Sequence, residues 1–459
     1  MFITTLLCLL ALSMASFFLF NARARALAVG ASSRLHSLPS YHGAYVALRV
    51  ALPSIAFLLI WSLCQQPLID RLVMSSLPAE ATIGMDKGAL DLILSEIKTV
   101  ADGRIFGEPS PTILAAAEQY KEWRQLGQYA LFAGGLGIAF VALYLAHRKL
   151  AVEFRARQRV ERIVSGLMIF CSLVAILTTL GIVFSLLFEA YRFFELVPWH
   201  EFFFGLNWEP QIPLRADQVA GLGAFGAIPV FTGTLLIAVV AILVAGPIGL
   251  FSAIYLVEYA EPKTRAVIKP TLEILSGIPT VVYGFFAVLV VAPAITAFGQ
   301  RLGIEMAPNS ALAAGLVMGI MIVPFISSLS DDAIRAVPQA MRDGAYALGA
   351  TKAETIVSVL LPAALPGIVG GFLLAISRAI GETMIVVMAA GLIANLTANP
   401  FEAVTTVTVQ IVTLLIGDTE FDSPKTLAAF ALGLVLFAVT LCLNVIALRI
   451  VRKYREMYE

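Results

Sequence analysis

Charge is scarce in this chain. Of 459 residues only 14% are Asp, Glu, Lys or Arg, against about 25% in an ordinary soluble domain. That deficit excludes a secreted or cytosolic enzyme. The 31 basic and 31 acidic residues cancel, so bulk electrostatics give no sign of nucleic-acid binding, and any use of charge must come from its placement. The few cysteines, Cys8, Cys64, Cys171 and Cys442, lie in or beside apolar stretches without metal-ligand spacing, which leaves neither a disulfide framework nor a zinc site. His36, His42, His147 and His200 are equally scattered, and no Ser or Cys nucleophile has a base beside it. An intramembrane enzyme is therefore disfavoured. No G-x-x-x-x-G-K-[ST] string occurs, so the chain has no phosphate-cradling loop with which to hydrolyse a nucleotide.

Apolar residues are abundant, at 59%, with a mean hydropathy of +0.89. Stretches of about twenty can each cross a hydrocarbon core of roughly 30 Å. They predict an all-α polytopic membrane protein of about nine spans, near residues 1–20, 43–64, 127–146, 163–188, 229–256, 267–292, 310–328, 363–391 and 426–448. Positive charge alternates between the connections. One set carries Arg23, Arg25, Arg34; Arg148, Lys149, Arg155, Arg157, Arg159, Arg162; Lys263, Arg265, Lys269; Arg335, Arg342, Lys352; and Arg449, Arg452, Lys453, Arg455. The short connections opposite hold only Arg192, Arg215, Arg301 and Lys425. The positive-inside rule then puts the N-terminus outside and the C-terminus in the cytoplasm. A signal peptide would carry its positive charge before the apolar run, whereas Arg23 and Arg25 follow it, so residues 1–20 are expected to stay as a span. Arg49, near the cytoplasmic end of the second span, can snorkel to the interface.

Composition divides the chain. Residues 1–160 hold three spans and an outside loop, 65–126, that reads partly helical (Asp86 to Val100, Pro111 to Gln125). Residues 161–228 are one span and an outside segment rich in rings, including Phe193, Phe194, Trp199, Phe202 and Trp208, as expected at a membrane–water interface. Residues 229–448 are five spans interrupted by Gly and Pro, followed by a basic tail, 449–459. Within them, Pro279, Pro293 and Pro366 with Gly246, Gly277 and Gly284 fit kinked or broken helices. Glu273, near the cytoplasmic end of its span, is expected to pair with Lys269 or another base.

The connection 331–362, DDAIRAVPQAMRDGAYALGATKAETIVSVLLP, is rich in helix signals. Pro338 suits a first helical turn, Gly349 a left-handed stop, and Thr351 with Glu354 a capping box opening the next helix. On the first helix Met341, Ala345 and Leu348 share a face flanked by Arg342 and Asp343. A short amphipathic helix held at the cytoplasmic surface suits a groove on a soluble partner.

Here the residues match a family. Asp343-Gly344-Ala345, three residues, Gly349, nine residues, then Val359-x-Leu361-Pro362 resembles the EAA loop of binding-protein-dependent ABC importer permeases, with Asp343, Gly344 and Val359 departing from its usual Glu, Ala and Ile. The strings FGAIPVFTGTL (225–235), LEILSGIPTVVYGFFA (272–287) and SRAIGETMIVVMAAG (377–391) narrow the resemblance to the phosphate-specific, PstC-type permeases, over about 161–459. The first 160 residues look like an N-terminal extension. The resemblance implies a type I (MetI-like) core of about six helices, with about three helices added before it. It implies a role as half of the translocation pathway of an ATP-driven phosphate importer in the bacterial inner membrane. The implied partners are a homologous second permease (PstA type), an ATPase dimer (PstB type) that binds the ATP and Mg and docks on the 331–362 loop, and an extracytoplasmic phosphate-binding protein (PstS type). The chain itself would need no cofactor, and no metal site is expected. In the family this loop is the coupling helix, which assigns ATPase coupling to Met341, Arg342, Asp343, Gly344, Ala345 and Gly349. An importer of another oxyanion or a polyamine, and a phosphate-sensing membrane component, are the alternatives.

Independently of any family, Arg378 and Glu382 stand out. An arginine in hydrocarbon costs about 3 kcal/mol or more, so it should face the bundle interior or a wet cavity. Spaced by four on a helix, the two can neutralise each other. A guanidinium matches two phosphate oxygens with its planar fork, while a carboxylate can accept a hydrogen bond from the proton that phosphate, unlike sulfate, retains. Either the pair locks the bundle or it gates the path. Thr232 and Thr234 could offer hydroxyls to a passing anion, although membrane threonines more often bond to backbone.

Overall fold

The computed structural model describes residues 1–30, 36–78, 87–104, 110–148, 154–211, 223–416 and 422–455. Asp86, Arg34, Lys149 and Arg215, named above, lie outside these, as do the last residues of the tail. Nine helices among the described residues are long and apolar enough to cross a membrane. Chain contacts divide the molecule into two units, Met1–Ile176 and Leu177–Glu459.

The first unit contains α1 (Phe2–Gly30), α2 (Pro39–Ser76), α3 (Lys87–Ala101), α4 (Pro111–Arg148) and the start of α5 (Ala156–Leu196). Its core is Leu9, Phe20, Tyr45, Val46, Val50, Leu58, Leu131 and Ala139, contributed by α1, α2 and α4. At 38 residues each, α2 and α4 run about 57 Å and overshoot the hydrocarbon. Their overhanging ends pack with α3 around Ile69, Val73, Ile97, Ala117 and Tyr120, tied by Lys98 Nζ to Asp70 at 2.8 Å. The second helical segment expected in the 65–126 loop is therefore the first part of α4.

The second unit holds the rest of α5, then α6 (Trp199–Phe204), a two-residue antiparallel pair of β1 (Trp208–Glu209) and β2 (Ala224–Phe225), and α7 (Ile228–Ile254) ending in a π turn (Tyr255–Tyr259). There follow α8 (Pro262–Ser276), α9 (Thr280–Phe286) with a π turn (Ala287–Val291), α10 (Ala292–Leu302), α11 (Ala311–Arg335), α12 (Gln339–Ala347) and α13 (Lys352–Thr355). A third π turn (Ile356–Leu360) leads into α14 (Leu361–Ile380), α15 (Met384–Ala389), α16 (Val407–Leu415) and α17 (Pro424–Arg455). Small buried residues let α7 and α11 pack closely: Ala241, Ala245, Ala314 and Val317 are all fully buried. The ring-rich segment after α5 splits. Phe193 and Phe202 are fully buried and Trp208 nearly so, forming their own core, whereas Trp199 and Phe204 stay exposed.

Two expected spans are corrected. The sixth begins at Thr280, not 267, because Gly277-Ile278-Pro279 separates it from α8, a helix with no buried residue. Lys269 does not meet Glu273, which is exposed; its Nζ reaches Asp331 Oδ2 at 2.8 Å instead. The eighth is not one helix over 363–391. Its transmembrane helix extends back to Lys352 and stops at Ile380, and Gly381-Glu382-Thr383 breaks the chain before α15.

Candidate functional site

The segment 338–355 forms as its residues dictate. Pro338 precedes α12, Gly349 adopts φ +87°, and Thr351 caps α13 in a complete capping box with Glu354. A left-handed residue costs an L side chain about 1–2 kcal/mol, which explains glycine at 349. The apolar face is used differently from the expectation. Met341 packs against a cluster of Ala253, Ile334, Val337, Ile356 and Leu360, and Ala345 is itself buried, so both turn toward their own chain and leave no groove-seeking stripe. Leu348, beyond the last turn, is 91% exposed. Asp343 and Gly344 are exposed beside it, and nothing lies within 4 Å of where a Gly344 Cβ would stand.

Arg342 is a tether. Its guanidinium pairs with the nearly buried Glu258 on the π turn after α7 and donates to the Ile334 carbonyl near the end of α11 at 2.8 Å. Lys352 adds a contact, its Nζ 4.8 Å from the centre of the Tyr259 ring. A second clasp holds α8. Asp331, 2% exposed, receives Arg265 Nη2 at 2.6 and 2.9 Å and Lys269 Nζ at 2.8 Å. Arg265 also donates to the Leu256 carbonyl at 2.8 Å. Sequence reasoning missed Glu258 and Asp331. Each acid sits within a few residues of an expected cytoplasmic boundary, where a lone carboxylate beside basic loops was the available signal.

The other feature is the break after α14, at the end of a candidate span. Arg378 lies in the last turn of α14, exposed on the surface of the unit, 5.9 Å over the Phe325 ring and without an ion pair among the described residues. The expected Arg378–Glu382 pair does not form. Because the helix has ended, Glu382 folds forward: its Oε1 accepts the Met384 and Ile385 amides at 3.2 and 3.4 Å, capping α15, while its carbonyl accepts Thr408 Oγ1 at 2.8 Å. A broken helix whose start is satisfied by a side chain is the form in which irregular backbone is tolerated at membrane depth.

Thr232 and Thr234 donate to the Ile228 and Val230 carbonyls at 2.8 Å each. Thr234, 4% exposed, also accepts the Val407 amide at 3.0 Å, fixing the start of α16. Gly233 between them admits the chain returning from α15: a Cβ there would stand 2.1 Å from the Thr405 carbonyl oxygen. Beside it the buried Gln410 bridges Trp208 Nε1 (2.9 Å), the Leu392 carbonyl (2.8 Å) and Thr405 Oγ1 (3.1 Å).

Broken helices among the candidate spans, together with a tethered surface helix that presents an exposed leucine, define a polytopic helical membrane protein. Comparison with known proteins gives the family. Residues 245–456 match the family described as the binding-protein-dependent transport system inner membrane component, and residues 6–178 match one described as a phosphate ATP-binding cassette transporter. A probable ABC transporter permease protein YqgH of Bacillus subtilis (strain 168) is 36% identical over 52% of this chain and 74% of its own length. The phosphate transport system permease protein PstC of Mesorhizobium japonicum is 33% identical over 49% of this chain and 72% of its own. PstC 1 of Mycobacterium tuberculosis is 34% identical over 55% and 81%. The chain belongs to the ABC importer permeases, a non-enzymatic family of multi-pass membrane subunits that work with an ATPase and a further permease chain.

Proposed function

We propose that the chain is the PstC-type permease of an inorganic phosphate importer, with Arg378 on the translocation path. The carrying observation is the exposed guanidinium in the last turn of the candidate span Lys352–Ile380, with no carboxylate to neutralise it among the described residues. A cation so placed is expensive against lipid and reasonable against a water-filled path shared with a second permease. Phosphate offers it two oxygens for a bidentate grip. Glu382, held on the α15 amides, lies four residues on and can accept a hydrogen bond from the P–OH of a monohydrogen phosphate that leaves the guanidinium. Thr232, half-buried near the start of α7, remains a minor candidate for the same path; Thr234 is committed to the backbone.

The outward part of α12 and its following turn, Asp343, Gly344, Leu348 and Gly349, would dock the PstB-type ATPase, while Arg342, Met341 and Ala345 transmit its movement. A PstA-type permease and a PstS-type binding protein complete the assembly, with the N-terminus outside and the C-terminus in the cytoplasm of a bacterial inner membrane. The phosphate named by the relatives supports the substrate.

The test is uptake of radiolabelled phosphate in cells carrying the intact chain or Arg378→Gln at equal membrane abundance, with sulfate as competitor. The expected outcome is at least a tenfold loss in the variant and no competition by sulfate. Normal uptake by the variant would take Arg378 off the path; no uptake by the intact chain would remove the substrate.

A further inference from the structure

The arginine-rich end of the N-terminal unit carries a cleft of about 990 Å³ between α2 and the start of α5. Arg49, Arg155, Arg159 and Arg162 line it, and none of them is ion-paired among the described residues. Their neighbour Arg157 shows the contrast, since its Nε meets Glu161 at 2.7 Å. Rings back the cationic wall: Arg159 lies 5.1 Å over Phe154, and Arg49 Nε donates to the Tyr45 hydroxyl at 3.3 Å. Four like charges around one cleft repel unless something negative lies among them.

A second cavity of about 600 Å³ adjoins the first, sharing Tyr45, Arg49 and Pro53, and runs along α4 past Gly137, Val141 and Leu145. Apart from Tyr45 and Arg49 at the shared end, its walls are apolar. Gly137 keeps the slot open, with no heavy atom within 4 Å of where its Cβ would stand. The two cavities together describe an amphiphile, with a phosphate group for the guanidinium forks and a hydrocarbon tail for the slot. Inorganic phosphate would use only the first. A zwitterionic headgroup would bring an ammonium into a cationic basin.

We propose that this unit binds one anionic glycerophospholipid, its phosphodiester among Arg49, Arg155, Arg159 and Arg162 and an acyl chain in the slot beside Gly137. Basic pockets between membrane helices recognise headgroups in this way, and arginine's fork suits the phosphodiester oxygens. The site is independent of the translocation path, so its test does not depend on the substrate.

Native mass spectrometry of the full chain, purified with its partner subunits, would compare retention of dioleoylphosphatidylglycerol and dioleoylphosphatidylcholine. Phosphatidylglycerol is expected to be retained at a tenfold or lower fraction of the phosphatidylcholine concentration. Arg49→Gln with Arg159→Gln, and separately Arg155→Gln with Arg162→Gln, should erase that preference; Gly137→Phe should weaken retention of phosphatidylglycerol about tenfold. Unchanged melting temperatures in these variants separate lost binding from lost folding. Equal retention of both lipids, or a preference that survives both arginine pairs, would overturn the proposal. Displacement of the lipid by millimolar inorganic phosphate with no effect of Gly137→Phe would overturn it in favour of a free-anion site.

Discussion

Gly233 is the residue at which backbone chemistry is most exposed to test. A methyl group there would meet the Thr405 carbonyl oxygen at 2.1 Å, and that oxygen belongs to backbone that cannot rotate away. Gly233→Ala is expected to destabilise the chain by about 1–3 kcal/mol, the usual cost of overpacking, read as a lower melting temperature in detergent; an unchanged melt would show that the two segments are not held so closely. Gly349 fails differently. The space around it is open but φ is +87°, so Gly349→Glu should leave the spans inserted while straining the turn by about 1–2 kcal/mol. ATP hydrolysis stimulated by loaded binding protein should fall in that variant, and normal stimulation would remove the turn from the docking surface. The sequence made Gly349 legible because a stop glycine and a capping box are local signals. It hid the role of Gly233, whose constraint comes from a residue far along the chain.

Elements whose geometry rests on local residues were readable, and those set by distant partners were not. The capping box of Thr351 and Glu354 appears as the spacing implies. The break at Gly381 does not follow from an apolar stretch, because it depends on Glu382 capturing the amides of Met384 and Ile385 and on Thr408 holding its carbonyl. In the same way α8, cut off from the sixth span at Gly277-Ile278-Pro279, is held by a distant partner, Asp331 on α11, which takes both Arg265 and Lys269. The Arg342–Glu258 pair is the element-scale counterpart. Both side chains are largely buried, and removing one partner of a buried pair costs about 3–5 kcal/mol. Glu258→Gln is therefore expected to loosen α12 from α7, which faster amide hydrogen exchange across 339–347 would report. Exchange identical to that of the intact chain would show that the apolar contacts of Met341 and Ala345 suffice.

For the whole molecule the orientation is the outstanding expectation, since it rests on the distribution of Lys and Arg. With Cys8, Cys64, Cys171 and Cys442 replaced by alanine, a cysteine at Ser75 should react with an impermeant maleimide from outside the cell, and one at Leu348 only after permeabilisation. The reverse pattern would invert the assignment. The tethers of α12 carry a mechanical consequence. Because Arg342 grips both the end of α7 and the end of α11, α12 has no hinge of its own, and a push on Leu348 is a push on both. With its 25 residues, α11 is a lever arm of about 37 Å, on which a tilt of about 10° at the docked end displaces the far end by about 6 Å. Under the proposed docking, work done by a partner on Leu348 would arrive at the far end of α11 as displacement of the helix itself, with no relay of side chains required.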